Sequence, residues 1–426
     1  MYQVENSGDL IKNKRQHLWA RVNWANVGRT VFLLGLTSFL TDISAEMVST
    51  TLPIYLMVML HFTPFQVGLV DGLYQGAAVL VKVLSGLIAD RYRKPKEVAA
   101  TGYLFSALCK LGYLLVGSSW AAISGVVLLD RVGKGIRTAP RDAMIAASSQ
   151  PTQLATAFGI HRALDTAGAM LGPLLAVAIL MVAPGAYDAI FVVSLCIALV
   201  GVAVIGLFVH NPGRTSNAPD ALPSSPPAES ERVSVRTALS LLAQPQFRRL
   251  VIIGSALALV TVSDGLLYLT LQRRLGLTTS FFPLLFVITA FIYMLLAIPV
   301  GRLADRLGHK RTFLAGYAVL ALVYTVLLLP VNVYVAAGAM LLLLGIYYAA
   351  TDGVLMALAS GLLPPHLRST GLALLTTGTG VARLLASTLY GAVWNWVGAE
   401  QALLVYIGGI VLVLVAASAS LKRLSA

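Results

Sequence analysis

The sequence predicts an all-α membrane protein of two six-helix bundles, 6+6 transmembrane helices related by a pseudo-two-fold axis. Three observations carry this. Apolar side chains make up 58% of the 426 residues and charged ones only 12%, about half the ~25% of an ordinary soluble domain. A soluble fold has too few charges here to cover its surface. The apolar residues also gather into twelve runs, each near the ~20 residues a bilayer-crossing helix needs. Finally, the two sets of six runs share an internal repeat, as two halves duplicated in parallel would.

The first six runs lie at 30–58, 65–89, 98–118, 121–145, 155–182 and 187–209. The second six lie at 249–271, 280–300, 313–330, 333–361, 368–392 and 401–420. The organisation expected is therefore a polar segment 1–29, a bundle 30–209, a linker 210–248, a second bundle 249–420 and a tail 421–426. The linker contains Pro212-Gly213 and Ser224-Ser225-Pro226-Pro227, the composition of a flexible connection. Met1–Arg29 lacks the apolar core of a signal peptide.

The net charge of +13 is read as basic cytoplasmic loops, with no nucleic-acid partner. Lys12, Lys14, Arg15, Arg21 and Arg29 precede span 1, and Arg91, Arg93, Lys94 and Lys96 follow span 2. Arg302, Arg306, Lys310 and Arg311 follow span 8, and Lys422 and Arg423 close the chain. The opposite loops hold little besides Arg273 and Arg274. The positive-inside rule then places both termini and the linker in the cytoplasm. The expected location is the cell (plasma or inner) membrane. Cys109 and Cys196 sit in apolar runs, so neither a disulfide framework nor a metal site is expected.

The repeat is explicit. Gly86-Leu-Ile-Ala-Asp90-Arg91 recurs as Gly301-Arg-Leu-Ala-Asp305-Arg306, each copy directly after the second span of its half. A weaker echo links Arg141-Asp142 with Thr351-Asp352. These Gly-x-x-x-Asp-Arg loops resemble the cytoplasmic 2–3 and 8–9 loops of the major facilitator superfamily, and the resemblance covers the whole chain. The second copy follows the family pattern through Gly308-His309-Lys310, and the first departs from it with Arg93 in place of Gly. The resemblance implies a fold closed around a central cavity lined by spans 1, 4, 7 and 10. It also implies a gate. An Asp at the cytoplasmic end of one helix holds an Arg or the N-terminus of a neighbour. Gly86, Asp90, Arg91, Arg93, Arg137, Arg141, Asp142, Gly301, Asp305, Arg306 and Lys310 are its candidates. The alternative is that these loops only set topology.

Two stretches resemble further family elements. Arg131-Val-Gly-Lys134-Gly135 is similar to the span-4 Arg-x-x-Gln-Gly element, with Lys134 replacing Gln. Gly159, Gly168 and Gly172-Pro173 are similar to the spaced glycines of exporters, although Ala176-Val177 replace the trailing Gly pair. The other reading of these glycines is close helix packing through small residues.

Charges at membrane depth cost roughly 2.5–3.5 kcal/mol each on insertion scales, so each one is a site hypothesis. Asp42 and Glu46 stand four apart in span 1, on one helical face, and are the proton-coupling candidates. Arg131, Lys134, Arg137 and Arg141 form a basic stripe on span 4, with Asp130 four residues before Lys134. Arg131, Lys134, Asp264 and Asp352, on cavity-lining spans, are the substrate candidates. Asp71, Lys82, Lys110, Asp130, His161, Arg162 and Asp165 read as a charge network, with Asp165 in reach of His161 or Arg162. Arg383 is the remaining charge at depth. Tyr347, Tyr348, Trp394 and Trp396 are candidates for the cavity or the headgroup interface, with the interface as the leading reading.

A nucleotide-binding Gly-x-x-x-x-Gly-Lys-[Ser/Thr] loop does not occur, and neither does a His-Glu-x-x-His or Gly-x-Ser-x-Gly motif. An ATP-driven pump and an intramembrane enzyme are thereby disfavoured. The function expected is secondary active transport of a small molecule by alternating access, without a cofactor and driven by the proton gradient. The leading form is proton-antiport export of an anionic or zwitterionic compound. Symport or uniport import of a small metabolite is the alternative. A monomer in the bilayer is expected.

Overall fold

The computed structural model describes residues 28–77, 94–149, 154–210, 241–276, 278–330, 332–363 and 368–422. Among these residues the secondary structure is helical throughout. The first half holds α1 (Arg29–Ile54, continued by a π-helical turn Tyr55–Met59), α2 (64–77), α3 (Pro95–Leu115), α4 (Trp120–Ala147), α5 (Leu154–Val182) and α6 (Tyr187–Phe208). The second holds α7a (Pro245–Leu259), α7b (Asp264–Leu275), α8 (Phe282–Leu307), α9 (His309–Leu328), α10 (Val333–Leu362), α11 (Arg368–Val397) and α12 (Ala399–Lys422).

Among the described residues ten helical segments are long and apolar enough to cross a membrane, Pro245–Arg274 being counted as one. The helix Trp120–Ala147 has the length, but its charged stripe makes it less apolar than the others. Helix ends follow local chemistry. Ser119 caps α4 by accepting from the Ala122 amide at 3.4 Å, and Asn332 caps α10 by accepting from Tyr334 at 3.0 Å. Pro95, Pro245 and Pro283 open α3, α7a and α8, where their missing N–H is no loss. Pro245 starts the seventh segment inside the stretch read as linker, and Phe247, fully buried, anchors it there. Between α8 and α9 the chain turns at Gly308 with φ 96°, a backbone angle that favours glycine.

Small residues set the crossings. A Cβ on Gly168 would lie 2.4 Å from the Phe39 carbonyl oxygen, and one on Gly172 would lie 2.6 Å from that of Ile43, so α5 lies directly on the α1 backbone. Gly102 and Gly133 bring α3 and α4 equally close. Gly159 of the same α5 series faces open space. Pro173 is a buried residue inside α5.

The seventh segment, expected as one continuous span, is broken. Val260–Ser263 leaves the helix, and α7b restarts at Asp264. The Tyr324 phenol of α9 fastens the break, accepting from the Val262 amide at 2.7 Å and donating to the Val260 carbonyl at 3.4 Å. Non-helical backbone at membrane depth persists only where it is buried in protein or lines a cavity. Here it does both.

The halves meet through α2 and α11, through α5 and α8, and through α1 against α7b and α8. Gly68, Gly72 and Gly76 run down α2 against Ser387, Leu384 and Gly380 of α11. Gly265 of α7b rests on Pro53 of α1, and Ser280 donates to the Leu180 carbonyl of α5 at 3.0 Å.

Candidate functional site: the charged cavity between the halves

The span-4 stripe sorts into paired cations and a single one left over. Asp130 does not reach Lys134. It accepts from Lys110 of α3 at 2.6 Å, from Ser106 at 2.5 Å and from Arg131 at 2.5 Å. The Arg131 guanidinium also lies 3.9 Å from the centre of the Tyr74 ring, a cation–π contact. Lys110, Asp130 and Arg131 are each at most 3% exposed. Arg131 is therefore turned into the first half and lines none of the cavities described below.

Arg137 sits 3.6 Å from Asp42 of α1 and over the Tyr103 ring at 4.6 Å. Arg141 pairs with Asp142 at 2.9 Å and with Asp165 of α5 at 3.8 Å, and it donates to Ser38 at 3.2 Å. Asp165 thus turns to α4 and not to His161 or Arg162 of its own helix, because α4 brings a guanidinium from outside. His161 is a buried hydrogen-bonding residue, 3.0 Å from Ser38. Ser38, Tyr103, His161 and Arg141 form one polar knot among α1, α3, α4 and α5. Arg137, Arg141 and Asp142, read as gate residues, lie in this network.

Lys134 is different. It has no carboxylate within ion-pair distance among the described residues, and it lines a cavity of about 240 Å³ with Glu46, Asp71, Asp264, Tyr74 and Gln75. The Glu46 carboxylate accepts from Ser49 at 2.6 Å. Asp42, held by Arg137, does not line this space.

Two more cavities continue it. One of about 160 Å³ is bounded by the break in the seventh segment, Thr261–Asp264, and by Tyr347, Tyr348, Arg383 and Ser387. The other, of about 500 Å³, is lined by Arg162, Tyr293, Asp352, Thr379 and Arg383 among others. Gln75 borders all three. Asp264, the first residue of α7b, accepts from the Tyr348 phenol at 2.6 Å. Tyr347 and Tyr348 are thus cavity residues, one of the two places left open for them and a correction to the leading interface reading. Of the two tryptophans, Trp396 is 82% exposed, while Trp394 is buried beside Tyr390 and Arg273. The apolar indole of Trp394 finds partners inside the fold.

Gln75 was missed in the sequence, although it stands four residues after Asp71 and so on the same face of α2. Arg383 was noted there at depth without a role.

Of the gate candidates, Asp305 is exposed and bonds His309 of its own turn at 3.1 Å. Gly301, Arg306 and Lys310 belong to the same α8–α9 corner, and Asp305 bonds no described residue of the first half. Lys82, Gly86, Asp90, Arg91 and Arg93 lie outside the described residues. Among the described residues no group of three or more His, Cys, Asp or Glu side chains is arranged to hold a metal.

Among the described residues, twelve helical segments in two halves enclose a charged cavity, the arrangement expected of a membrane transporter. The chain belongs to the Major Facilitator Superfamily, whose family model matches residues 34–387 and 258–424. It is 31% identical over 384 residues to an uncharacterised MFS-type transporter of Methanocaldococcus jannaschii, covering 88% of this chain and 90% of that one. A solved mutant of the nucleoside transporter NupG superposes with a TM-score of 0.76 at 15% identity, over 92% of this chain and 99% of that one. A bacterial homologue of the human lysosomal transporter Spinster, inward-facing and occupied, gives 0.68 at 14% identity, over 92% and 96%. At these identities the likeness is one of fold.

Proposed function

We propose that this superfamily transporter is a proton-coupled exporter of the cell membrane, carrying an anionic or zwitterionic small molecule out by antiport. Both termini and the linker face the cytoplasm, the chain acts as a monomer, and no cofactor takes part. The observation that carries the reading is the sharing of one cavity by Lys134 and Glu46. A cation without a carboxylate partner is a ready seat for an anionic group. A carboxylate on the same wall is placed to exchange a proton as the seat fills and empties. Asp42, also read as a coupling acid, is held by Arg137 and acts here by keeping α1 against α4.

Rocking of the halves supplies alternating access. The α2–α11 glycine seam closes one end of the cavity, and the α8–α9 corner, with Asp305 turned to His309, lies at the other. The outward direction rests on the resemblance of the α5 glycines to an exporter element, and their contact with the α1 backbone fits close packing as well. Flux of an anionic and zwitterionic panel in proteoliposomes, under a pH gradient imposed in either sense, tests the proposal. Antiport requires substrate to move against the proton. Movement with the proton gives the symport reading instead, and flux indifferent to the gradient gives a uniporter.

A further inference from the structure

The three cavities form one path between the halves. The first and middle cavities share Gln75 and Asp264, and the middle and last share Gln75 and Arg383. Two cations stand on this path from opposite halves. Lys134 of α4 borders the first cavity, and Arg383 of α11 borders the other two. Arg162 of α5 opens onto the last cavity and adds positive charge there.

Hydrogen bonding separates these cations from the carboxylates around them. Glu46 accepts from Ser49 and Asp264 from Tyr348, each at 2.6 Å. Asp71 has the Ser263 and Ser387 hydroxyls beside it. Asp352, the remaining carboxylate on the path, is open to the last cavity and stays beyond ion-pair distance of Arg383. The Lys134 ammonium and the Arg383 guanidinium have neither an ion pair nor a hydrogen bond among the described residues. Around Arg383 stand the phenols of Tyr317, Tyr347 and Tyr348. Buried donors are almost always bonded, and a charge at membrane depth without a partner marks a solute path. What this path lacks is therefore acceptors, at two places, one on each half.

We infer that the transported compound is a dianion with an anionic group at each end, one seated on Lys134 and the other on Arg383. An ammonium and a guanidinium bring eight N–H donors between them and no acceptor, so the solute must bring the acceptors. The guanidinium offers a paired fork that a carboxylate or a phosphate-like group fits. Because the two cations belong to different halves, a solute charged at both ends binds both halves at once, whereas a singly charged one binds only one. This inference rests on the reading of Lys134 as the anion seat of the transport cavity and narrows the substrate class given above.

The full-length protein, purified in detergent, is mixed with unbranched dicarboxylates from succinate to suberate. Each is compared with its monoamide and with the amino acid that carries an ammonium in place of one carboxylate. Phosphonocarboxylates of the same lengths distinguish a carboxylate from a phosphate-like group at either seat. Thermal stabilisation reads binding, and counterflow in proteoliposomes reads transport. At least one dianion is expected to stabilise the protein and to exchange. Blocking one end should weaken it about tenfold or more, the scale of one lost charged hydrogen bond. In Arg383→Gln, and equally in Lys134→Gln, the diacid should bind no better than its monoamide. The wild-type comparison needs neither variant to fold. Failure of every dianion, equal binding of diacid and monoamide in the wild type, or a diacid advantage that survives Arg383→Gln overturns the inference. If monoamides or amino acids exchange and no dianion does, the second seat is wrong and the transporter reading stands. If no compound of any class exchanges, the transport reading falls with it.

Discussion

Gly68 of α2 and Gly391 of α11 meet backbone to backbone across the two halves. A Cβ on Gly68 would lie 3.0 Å from the Gly391 Cα and 2.4 Å from the Ser387 carbonyl oxygen. Neither neighbour can yield as a flexible side chain would, so under the proposed rocking of the halves this contact must part when that end opens.

Gly68→Ala should therefore penalise the closed arrangement selectively. An overpacked contact costs about 1–3 kcal/mol, which moves a two-state population by about fivefold to 150-fold. A cysteine placed at Ser49, on the cavity wall, should label faster from the α2–α11 end in this variant. Unchanged labelling, with the melting temperature intact, would show that the seam does not gate.

The buried triad of Lys110, Asp130 and Arg131 gives a stability prediction. Asp130→Asn leaves two cations in the interior without their carboxylate, which costs roughly 3–5 kcal/mol. Thermal unfolding in detergent should drop markedly. Adding Lys110→Met to that variant should recover part of the loss. A single variant as stable as the parent would remove the triad from the account.

Glu46 and Asp42 should separate. Glu46→Gln is expected to abolish gradient-driven transport while counterflow exchange, which needs no net proton movement, survives. Asp42→Asn is expected to lower the melting temperature, because Arg137 loses its carboxylate. Should Asp42→Asn instead abolish uphill transport in a fully stable protein, the coupling acid is misassigned.

Lys134→Gln, which restores the residue usual at this place in the family, should spare folding because no ion pair is broken. Transport of compounds with an anionic group should fall, and that of neutral ones should not. Equal loss for both classes would make Lys134 a packing residue.

Most of the architecture was legible because a span is a local property: about twenty apolar residues suffice, whatever surrounds them. The close packing of Gly168 and Gly172 was legible for the same reason, since each acts through its own backbone. Pairing was less so. Asp130 had Lys134 in view along its helix, but the partner it finds is Lys110, brought in by the close crossing of α3 and α4 at Gly102 and Gly133. The break at Val260–Ser263 was hidden because Thr261, Val262 and Ser263 are ordinary in an apolar helix, and the phenol that stabilises the unwound backbone comes from Tyr324 on another span. Tyr347 and Tyr348 misled for a related reason. Tyrosine suits an interface as well as a polar cavity, and only the approach of Asp264 to Tyr348 and of the unwound seventh segment to both decides between them.

The central claim is that solute and proton exchange through the cavity that Glu46 and Lys134 share. Its most direct test is counter-transport in proteoliposomes loaded with an anionic substrate, with proton entry and substrate exit recorded together under an imposed pH gradient. The account predicts that substrate leaves as protons enter, and that Glu46→Gln stops both net fluxes while exchange continues. Substrate movement with no proton movement, or undiminished coupled flux in Glu46→Gln, would contradict it.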